Sequence, residues 1–351
     1  MKNQIITHIN FAKGYRGGET QTELLIRELS SHGYQQKLIV RKKSELAQRV
    51  KNIQNLTIIA LSKPYFFHLN SIQNSAILHA HETKGAQFCF FASLYYNIPY
   101  IVTRRVDNPI KQNIFNQKIY NNALYTAVLS EAIKKETLKV SKNINIVIIP
   151  DAYNILTINY NTIAKIKKRF SNKFIIGNIG ELDNAHKGQF YLIEAMKKVQ
   201  EKYPNIHLIL LGKGKDKESY QQQAKGLNNI TFEGFVDNVP DYIACFDAFI
   251  FPSLHEGLGS ILFDVMQKKV SIGASNVGGI PDIIEENKNG LLFPPKDSEA
   301  IFNVIEKLYL SKDLRERLST NAYENIENFS YQVMADRYIT LYNNVNKEKI
   351  T

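Results

Sequence analysis

The sequence predicts an α/β protein of two domains, each a doubly wound parallel sheet, on three observations. Short apolar runs alternate with helical patterns along both halves of the chain. A polar, Asn-rich and basic stretch, residues 152–172, separates the halves. Each half also carries glycine-rich turns between a strand and a helix. Strand–helix alternation of this kind builds parallel sheets with helical crossovers.

In the first half, β-branched and aromatic runs predict strands over 4–10, 36–41, 56–60, 76–80, 100–103, 125–129 and 144–149. Helices fall between them, notably 20–32 and 85–96. Residues 152–172 read as a linker plus a first helix, with the basic run Lys165-Ile-Lys-Lys-Arg169 inside it. The second half predicts strands over 174–179, 207–211, 230–233, 248–251 and 270–274. Its helices are expected over 188–202, 217–225 and 239–245, after the turn at 252–260, and from Pro281. From 299 to about 344 the pattern is helical and amphipathic. The expected domains are 1–155, joined by a C-terminal helix of about 332–351, and 156–331.

Composition narrows the class. A chain of 351 residues is long for one core and comfortable for two. With 44% apolar and 22% charged residues it is ordinary for a globular protein. Cys89 and Cys245 lie in separate apolar stretches, so no disulfide framework is expected and a reducing compartment fits. The N-terminus runs straight into a strand pattern without a signal-peptide profile, and no apolar run reaches the roughly 20 residues of a membrane span. A cytoplasmic protein is expected, peripheral on the inner membrane. Heavy Lys, Asn and Ile usage suits an AT-rich bacterial genome. The net charge of +11 sits wholly in residues 1–155, with 20 Lys and Arg against 9 Asp and Glu; residues 156–351 hold 24 of each. That excess reads as a solvated basic face, or as a surface for anionic lipid or a phosphorylated, lipid-linked ligand. With no RNA-binding motif, a nucleic-acid partner is not expected.

The most informative segment is Pro252-Ser-Leu-His-Glu-Gly-Leu-Gly-Ser-Ile-Leu-Phe-Asp264, in which Glu256 and Asp264 flank a glycine turn that opens a helix. Free amides at a helix N-terminus, here those of Leu258, Gly259 and Ser260, attract an anion such as diphosphate. Carboxylates beside them suit the hydroxyls of a sugar. Asp264 also reads as a first-turn aspartate facing the helix dipole. Donors for phosphate and acceptors for hydroxyls in one turn indicate a nucleotide-sugar site.

Four further motifs stand at predicted strand ends. Gly14-Tyr-Arg-Gly-Gly-Glu19 follows the first strand and places Arg16, Gly17, Gly18 and Glu19 at a helix start. His79-Ala-His81-Glu82 puts two histidines on one side of a strand; no third ligand is apparent, so no metal is expected, and His79 reads equally as a structural histidine. Arg104 and Arg105 in Thr103-Arg-Arg-Val-Asp107 are planar donors suited to phosphate or carboxylate, or are a pair partnered by Asp107. Gly180-Glu-Leu-Asp-Asn-Ala-His-Lys-Gly188 holds Lys187 at a helix start. Val277–Asp282 and Gly290–Pro294 read as architectural.

Through these motifs the chain resembles the family 4 retaining glycosyltransferases, whose signature is a glutamate, seven residues and a second glutamate; here the second is Asp264. The resemblance is dense from about 173 to 310. It implies a GT-B fold, two Rossmann-like domains facing a central cleft with the last helix crossing back to the first. It further implies a hexosyltransferase-type enzyme that needs no cofactor, with a nucleotide-diphosphate sugar, UDP-linked by preference, as donor. The acceptor is expected to be a lipid-linked or phosphorylated glycan such as lipopolysaccharide core, at an anionic membrane surface. Glu256, Lys187, His81 and Arg105 take catalytic roles in this reading. Gly17, Gly18, Leu258, Gly259, Ser260 and Asp264 bind the donor, and Arg16, Arg104 and Glu19 contact acceptor or phosphate. Family members commonly carry an arginine where Glu181 stands, so His186, Arg104, Arg105 or Arg16 would have to supply the second cation. That change, with the shortened Asp264, leaves two alternatives: a non-catalytic glycan- or membrane-binding subunit, and a sugar-nucleotide epimerase.

Overall fold

The computed structural model describes residues 4–143 and 145–348, with side chains through Val345. The chain forms two compact units: residues up to Ala152 together with those from Phe329, and Tyr153–Asn328. The sequence had placed these divisions at 155/156 and 331/332.

In the first unit β1 (Ile5–Asn10), α1 (Gly17–Ser31), β2 (Gln36–Arg41), α2 (Glu45–Val50) and β3 (Leu56–Leu61) lead to a 3-10 segment, Tyr65–Ile72. Then come β4 (Ser75–Ala80), α3 (Thr83–Tyr96), β5 (Tyr100–Arg104), α4 (Ile114–Asn121), β6 (Tyr125–Val128), α5 (Glu131–Leu138) and β7 (Ile146–Ile148). The strands pair in the order β3-β2-β1-β4-β5-β6-β7, all parallel. Alternation along a strand sends successive residues to opposite faces. Ile6 accordingly joins the core under α1, and Ile9 the core under α3.

The second unit runs α6 (Tyr160–Arg169), β8 (Phe174–Ile179), α7 (Gln189–Lys202), β9 (Ile206–Leu211), α8 (Lys217–Gln223), β10 (Ile230–Gly234), α9 (Val239–Ile243), β11 (Ala248–Phe251), α10 (Ile261–Gln267), β12 (Ser271–Ser275), β13 (Leu291–Phe293), α11 (Ser298–Leu310) and α12 (Lys312–Asn325). Its sheet is also all parallel, in the order β10-β9-β8-β11-β12-β13. Leu192, Met196 and Val199 of α7 meet Ile301, Ile305 and Leu308 of α11 over Leu208, Leu210 and Ile250. Each side chain so buried contributes roughly 1.5–3 kcal/mol.

In both sheets the strand order reverses at one point, between β1 and β4 and between β8 and β11. Loops leaving the carboxyl ends of those strands diverge to opposite faces and open a crevice, where open α/β sheets bind ligands.

Three sequence expectations are corrected. The helix expected from Pro281 is one 3-10 turn, Ile280–Asp282; Asn287 then adopts a left-handed φ of 59° and the chain extends into the unforeseen β13. The long helical tract is divided at Ser311, which ends α11 and caps α12 by accepting from the Leu314 amide. Helix α1 begins at Gly17, three residues early, because the Glu19 carboxylate accepts from the Arg16 amide at 3.0 Å. Ile144, within the seventh expected strand, lies outside the described residues.

The chain closes with α13 (Tyr331–Glu348), which lies beside α1 on the first sheet. Tyr338, Leu341, Tyr342 and Val345 join Leu25, Leu29, Ile77 and Ile101 in one core. The helix is also tied by polar contacts. His79 Nδ1 is 2.6 Å from the Tyr342 hydroxyl, His79 Nε2 is 2.7 Å from Thr103 Oγ1, and that oxygen is 2.9 Å from the Tyr338 hydroxyl. Tyr342→Phe keeps the packing and orphans a buried imidazole nitrogen. It is expected to cost about 1–3 kcal/mol in denaturant melts, and an unchanged midpoint would refute the tie.

Candidate functional site

In the second unit two loops leave the switch-point strands β8 and β11 and touch backbone to backbone. The Leu254 and His255 amides donate to the His186 carbonyl at 2.7 and 3.2 Å. Gly188, which opens α7 with φ 63°, lies so close to the second loop that a Cβ would fall 2.0 Å from the Pro252 carbonyl oxygen. A third strand end supports them from below. The Gly279 amide donates to the Glu256 carbonyl at 3.0 Å, and a Cβ on Gly278 would fall 1.9 Å from that oxygen. The Val277–Asp282 segment is thus the prop of the Glu256 turn.

This packing sets Lys187 Nζ 2.7 Å from Glu256 Oε2, with Ser253 Oγ 3.4 Å from the same oxygen. The lysine side chain is 26% exposed and the glutamate 17%, so the pair is half-shielded and open to a ligand. Leu258 and Gly259 are buried in the turn, Gly259 at φ 89°, and Ser260 opens α10. First-turn amides have no acceptor inside their own helix. Asp264, the fourth residue of α10, carries a carboxyl pushed up to about 7 by burial, which Lys268 one turn later only partly offsets. Glu181 is exposed, and Asp183 holds both His186, at 3.2 Å, and Lys215, at 3.2 Å.

In the first unit the glycine loop caps α1. Glu19 is buried and its carboxylate accepts from the Arg16 amide and from Asn10 Nδ2. Arg16 and Gly17 are exposed, and Gly18 faces the Arg105 shank, its virtual Cβ 3.4 Å from Arg105 Cδ. Arg105 pairs at 3.0 Å with Asp151, not with Asp107; its Nε and Nη2 have no partner among the described residues. Asp151 stands 46 residues from Arg105 in sequence, which hid the pair from local reading. Arg104 is buried, donates to the Asn108 carbonyl, and leaves Nε unpartnered among the described residues.

Sequence alone offered no third ligand near His79 and His81, and the sheet supplies one. His8 of β1 stands in register with His79 of β4, and one ring nitrogen from each of the three histidines lies within 4.8 Å of the other two. The signal was present: adjacent parallel strands with histidines at matching depth and period 2 share a face. Most of the ring nitrogens already have partners. His8 Nδ1 meets His81 Nε2 at 3.0 Å and His8 Nε2 meets Gln36 Oε1 at 3.1 Å, while His79 holds Tyr342 and Thr103. A cation would have to break several of these bonds beside the Arg105 guanidinium, so the set fits a hydrogen-bonded brace better than a metal centre. Only His81 Nδ1 is left without a partner among the described residues.

Burial, reinforced for His79 and His81 by neighbouring histidines and Arg105, holds all three imidazoles below their ordinary range, His8 at about 4. A histidine depressed in the folded state contributes stability above its unfolded pKa of 6.5, and that stability drains away as pH falls toward about 4. For His8 alone the loss is on the order of 2 kcal/mol by about pH 5. His8→Gln should therefore flatten the decline of unfolding free energy between pH 7 and about 5; equal slopes for variant and wild type would disprove the coupling.

Residues 159–325 match the family model described as glycosyl transferases group 1. The capsular polysaccharide biosynthesis glycosyltransferase CapM of Staphylococcus aureus is 27% identical over 190 residues, 52% of this chain and 50% of CapM. The lipopolysaccharide core biosynthesis glycosyltransferase LpsE of Rhizobium meliloti is 27% identical over 159 residues, 44% of this chain and 46% of LpsE. These matches thus span about half the length of the curated relatives. Anabaena HepE, solved in complex with UDP, superposes with TM-score 0.83 at 16% identity, covering 97% of this chain and 100% of that one. The likeness to HepE is one of fold, two parallel-sheet α/β units of the GT-B class. Among the described residues no helix is long and apolar enough to cross a membrane. Over residues 159–325, nearly the whole second unit, the chain is similar to the glycosyl transferases group 1 family.

Proposed function

We propose that this protein is a retaining glycosyltransferase that moves a sugar from a nucleotide-diphosphate donor to a hydroxyl of a lipid-linked or surface glycan, such as lipopolysaccharide core. The observation that carries the reading is the Lys187–Glu256 pair at the carboxyl ends of the switch-point strands, inside the family-matched region. In this reading the second unit binds the donor. Amides of Leu258, Gly259 and Ser260 receive the diphosphate, Asp264 accepts the ribose hydroxyls, and Glu256 orients the sugar through its hydroxyls. The sugar C1–O bond to phosphate breaks, and the acceptor oxygen bonds to C1 on the same face. The acceptor proton passes to the leaving phosphate oxygen, so no separate base is required. Lys187 stabilises the charge that grows on that phosphate. UDP is the favoured nucleotide, since HepE was solved with UDP and with UDP-glucose.

The first unit is assigned to the acceptor, with Gly17, Gly18, His81 and Arg105 toward the reacting groups and Arg16 and Arg104 toward acceptor phosphate. Glu19 is better read as the cap that fixes this loop. The basic excess of residues 1–155 suits an anionic inner-membrane surface on its cytoplasmic side. A non-catalytic subunit remains the second reading, favoured by the exposed Glu181 at the expected position of a cation.

UDP and UDP-sugars should raise the melting temperature of the purified protein by mass action. Glu256→Gln should lower kcat/KM by roughly 30- to 100-fold, the value of a charge-assisted hydrogen bond, with the fold intact. Transfer that survives the change would sink the assignment of Glu256; absence of transfer in the wild type, with UDP binding retained, would favour the subunit reading. If Asp264 accepts ribose hydroxyls as a carboxylate, UDP affinity should rise as pH passes upward through about 7. Asp264→Asn should remove that rise, as calorimetry at several pH values would show.

A further inference from the structure

Two adjoining cavities in the first unit have side-chain chemistries that fit two ends of one molecule. The first, about 460 Å³, lies between the start of α3, the end of β5 and the 106–113 loop. Thr83, Gln87 and Asn108 offer it hydroxyl and amide groups, and its charged lining residues are Arg104 and Lys111, with no carboxylate. Arg104 is 9% exposed, and its Nε has no partner among the described residues. A guanidinium buried to this degree without a carboxylate is costly unless an anion completes it. Nearby acid is scarce: residues 46–130 hold eight Lys and Arg against Glu82 and Asp107. Glu82 is already committed, its carboxylate accepting from the Phe11, Lys84 and Gly85 amides.

The second cavity is an open groove of about 540 Å³ lined by Phe66, Leu69, Phe91, Leu94 and Tyr95. Phe66 is 54% exposed, Phe91 43%, Leu94 67% and Tyr95 77%, a contiguous apolar patch of the kind that marks a binding surface. The two sites share a wall. Phe115 lines the first cavity, and its ring centroid is 5.7 Å from that of Phe91, which lines the second. Along α3, Gln87 and Leu94 are separated by about 10 Å of helix rise.

We propose that the first unit binds an amphiphile whose anionic sugar headgroup, bearing a carboxylate or a phosphate, occupies the Arg104 cavity while its hydrocarbon chain lies in the Phe66–Phe91–Leu94 groove. This deepens the reading of the first unit as the acceptor side and rests on it: the acceptor is an acidic saccharide carried on a lipid. It separates the two arginines, Arg105 being held by Asp151 and Arg104 committed to the ligand.

The test is calorimetric titration of the full chain with octyl glucuronide, octyl glucose 6-phosphate, octyl glucoside and methyl glucuronide, each below its micelle concentration. At least one anionic octyl sugar should bind about tenfold or more tighter than octyl glucoside, and octyl glucuronide similarly tighter than methyl glucuronide. The stronger of the two anionic headgroups identifies carboxylate or phosphate. Arg104→Gln should abolish the preference for charge and leave that for the chain; Phe91→Ser with Leu94→Ser should do the reverse. Because Arg104 also braces the 106–113 loop, Lys111→Ala serves as a second variant and should weaken the charge preference alone. Equal affinity for charged and neutral octyl sugars overturns the proposal. So does a dimer in light scattering that Leu94→Ser dissolves without altering chain preference, which would make the groove a contact between copies. UDP is titrated into the same samples: failure there defeats the donor reading of the second unit without touching this result.

Discussion

The contact between the 180–188 and 252–260 loops is the constraint on which the second unit's site depends. Side chains as long as lysine and glutamate are held in one geometry only if their backbones are fixed, and here fixation is by main chain. The His186 carbonyl takes two amides from the facing loop, and Gly188 and Gly278 sit where any Cβ would strike a carbonyl oxygen. The Lys187–Glu256 ion pair is a consequence of that closeness rather than its cause. Its significance is electrostatic preorganisation: a cation and an anion are set side by side before a ligand arrives with groups of both kinds to satisfy.

The first unit solves a similar problem with opposite means. Its strand ends are braced by buried neutral imidazoles, a capped glycine loop and an Arg105–Asp151 pair, so most polar atoms are spoken for. The exceptions are therefore informative. Among the described residues of this unit, Ser71 Oγ, His81 Nδ1, Arg104 Nε, Arg105 Nε and Nη2 and Thr126 Oγ1 are the buried side-chain atoms left over, and three of those six are guanidinium nitrogens.

Much of the architecture was legible because strand alternation and glycine turns are local signals. Most strands of the two sheets announced themselves, and β13 escaped because three residues between Gly290 and Pro294 are too few to show a period. The helix expected from Pro281 failed for a related reason: a proline at a helix start says nothing about how soon the helix stops. Glu256 and Lys187 could be picked out as residues at strand ends, but not their contact, which depends on the switch between β8 and β11. Contacts across long separations were the least legible. Nothing near Arg105 points to Asp151, and nothing near His79 points to Tyr342, 263 residues away. The aromatic groove was hidden because Phe66 and Leu94 look like core until the tertiary structure leaves them outside.

The route of the chain has a consequence for biosynthesis. Residues Tyr153–Asn328 are contiguous, and the whole second sheet can close as soon as that stretch has emerged from the ribosome. The first sheet, although translated earlier, lacks the Tyr338, Leu341 and Tyr342 layer over β1, β4 and β5 until α13, which follows the second unit in the chain, has emerged. Its histidine brace meets water until then, so the half made first is the half completed last, and a stalled or shortened chain would expose an open face on a strongly basic unit.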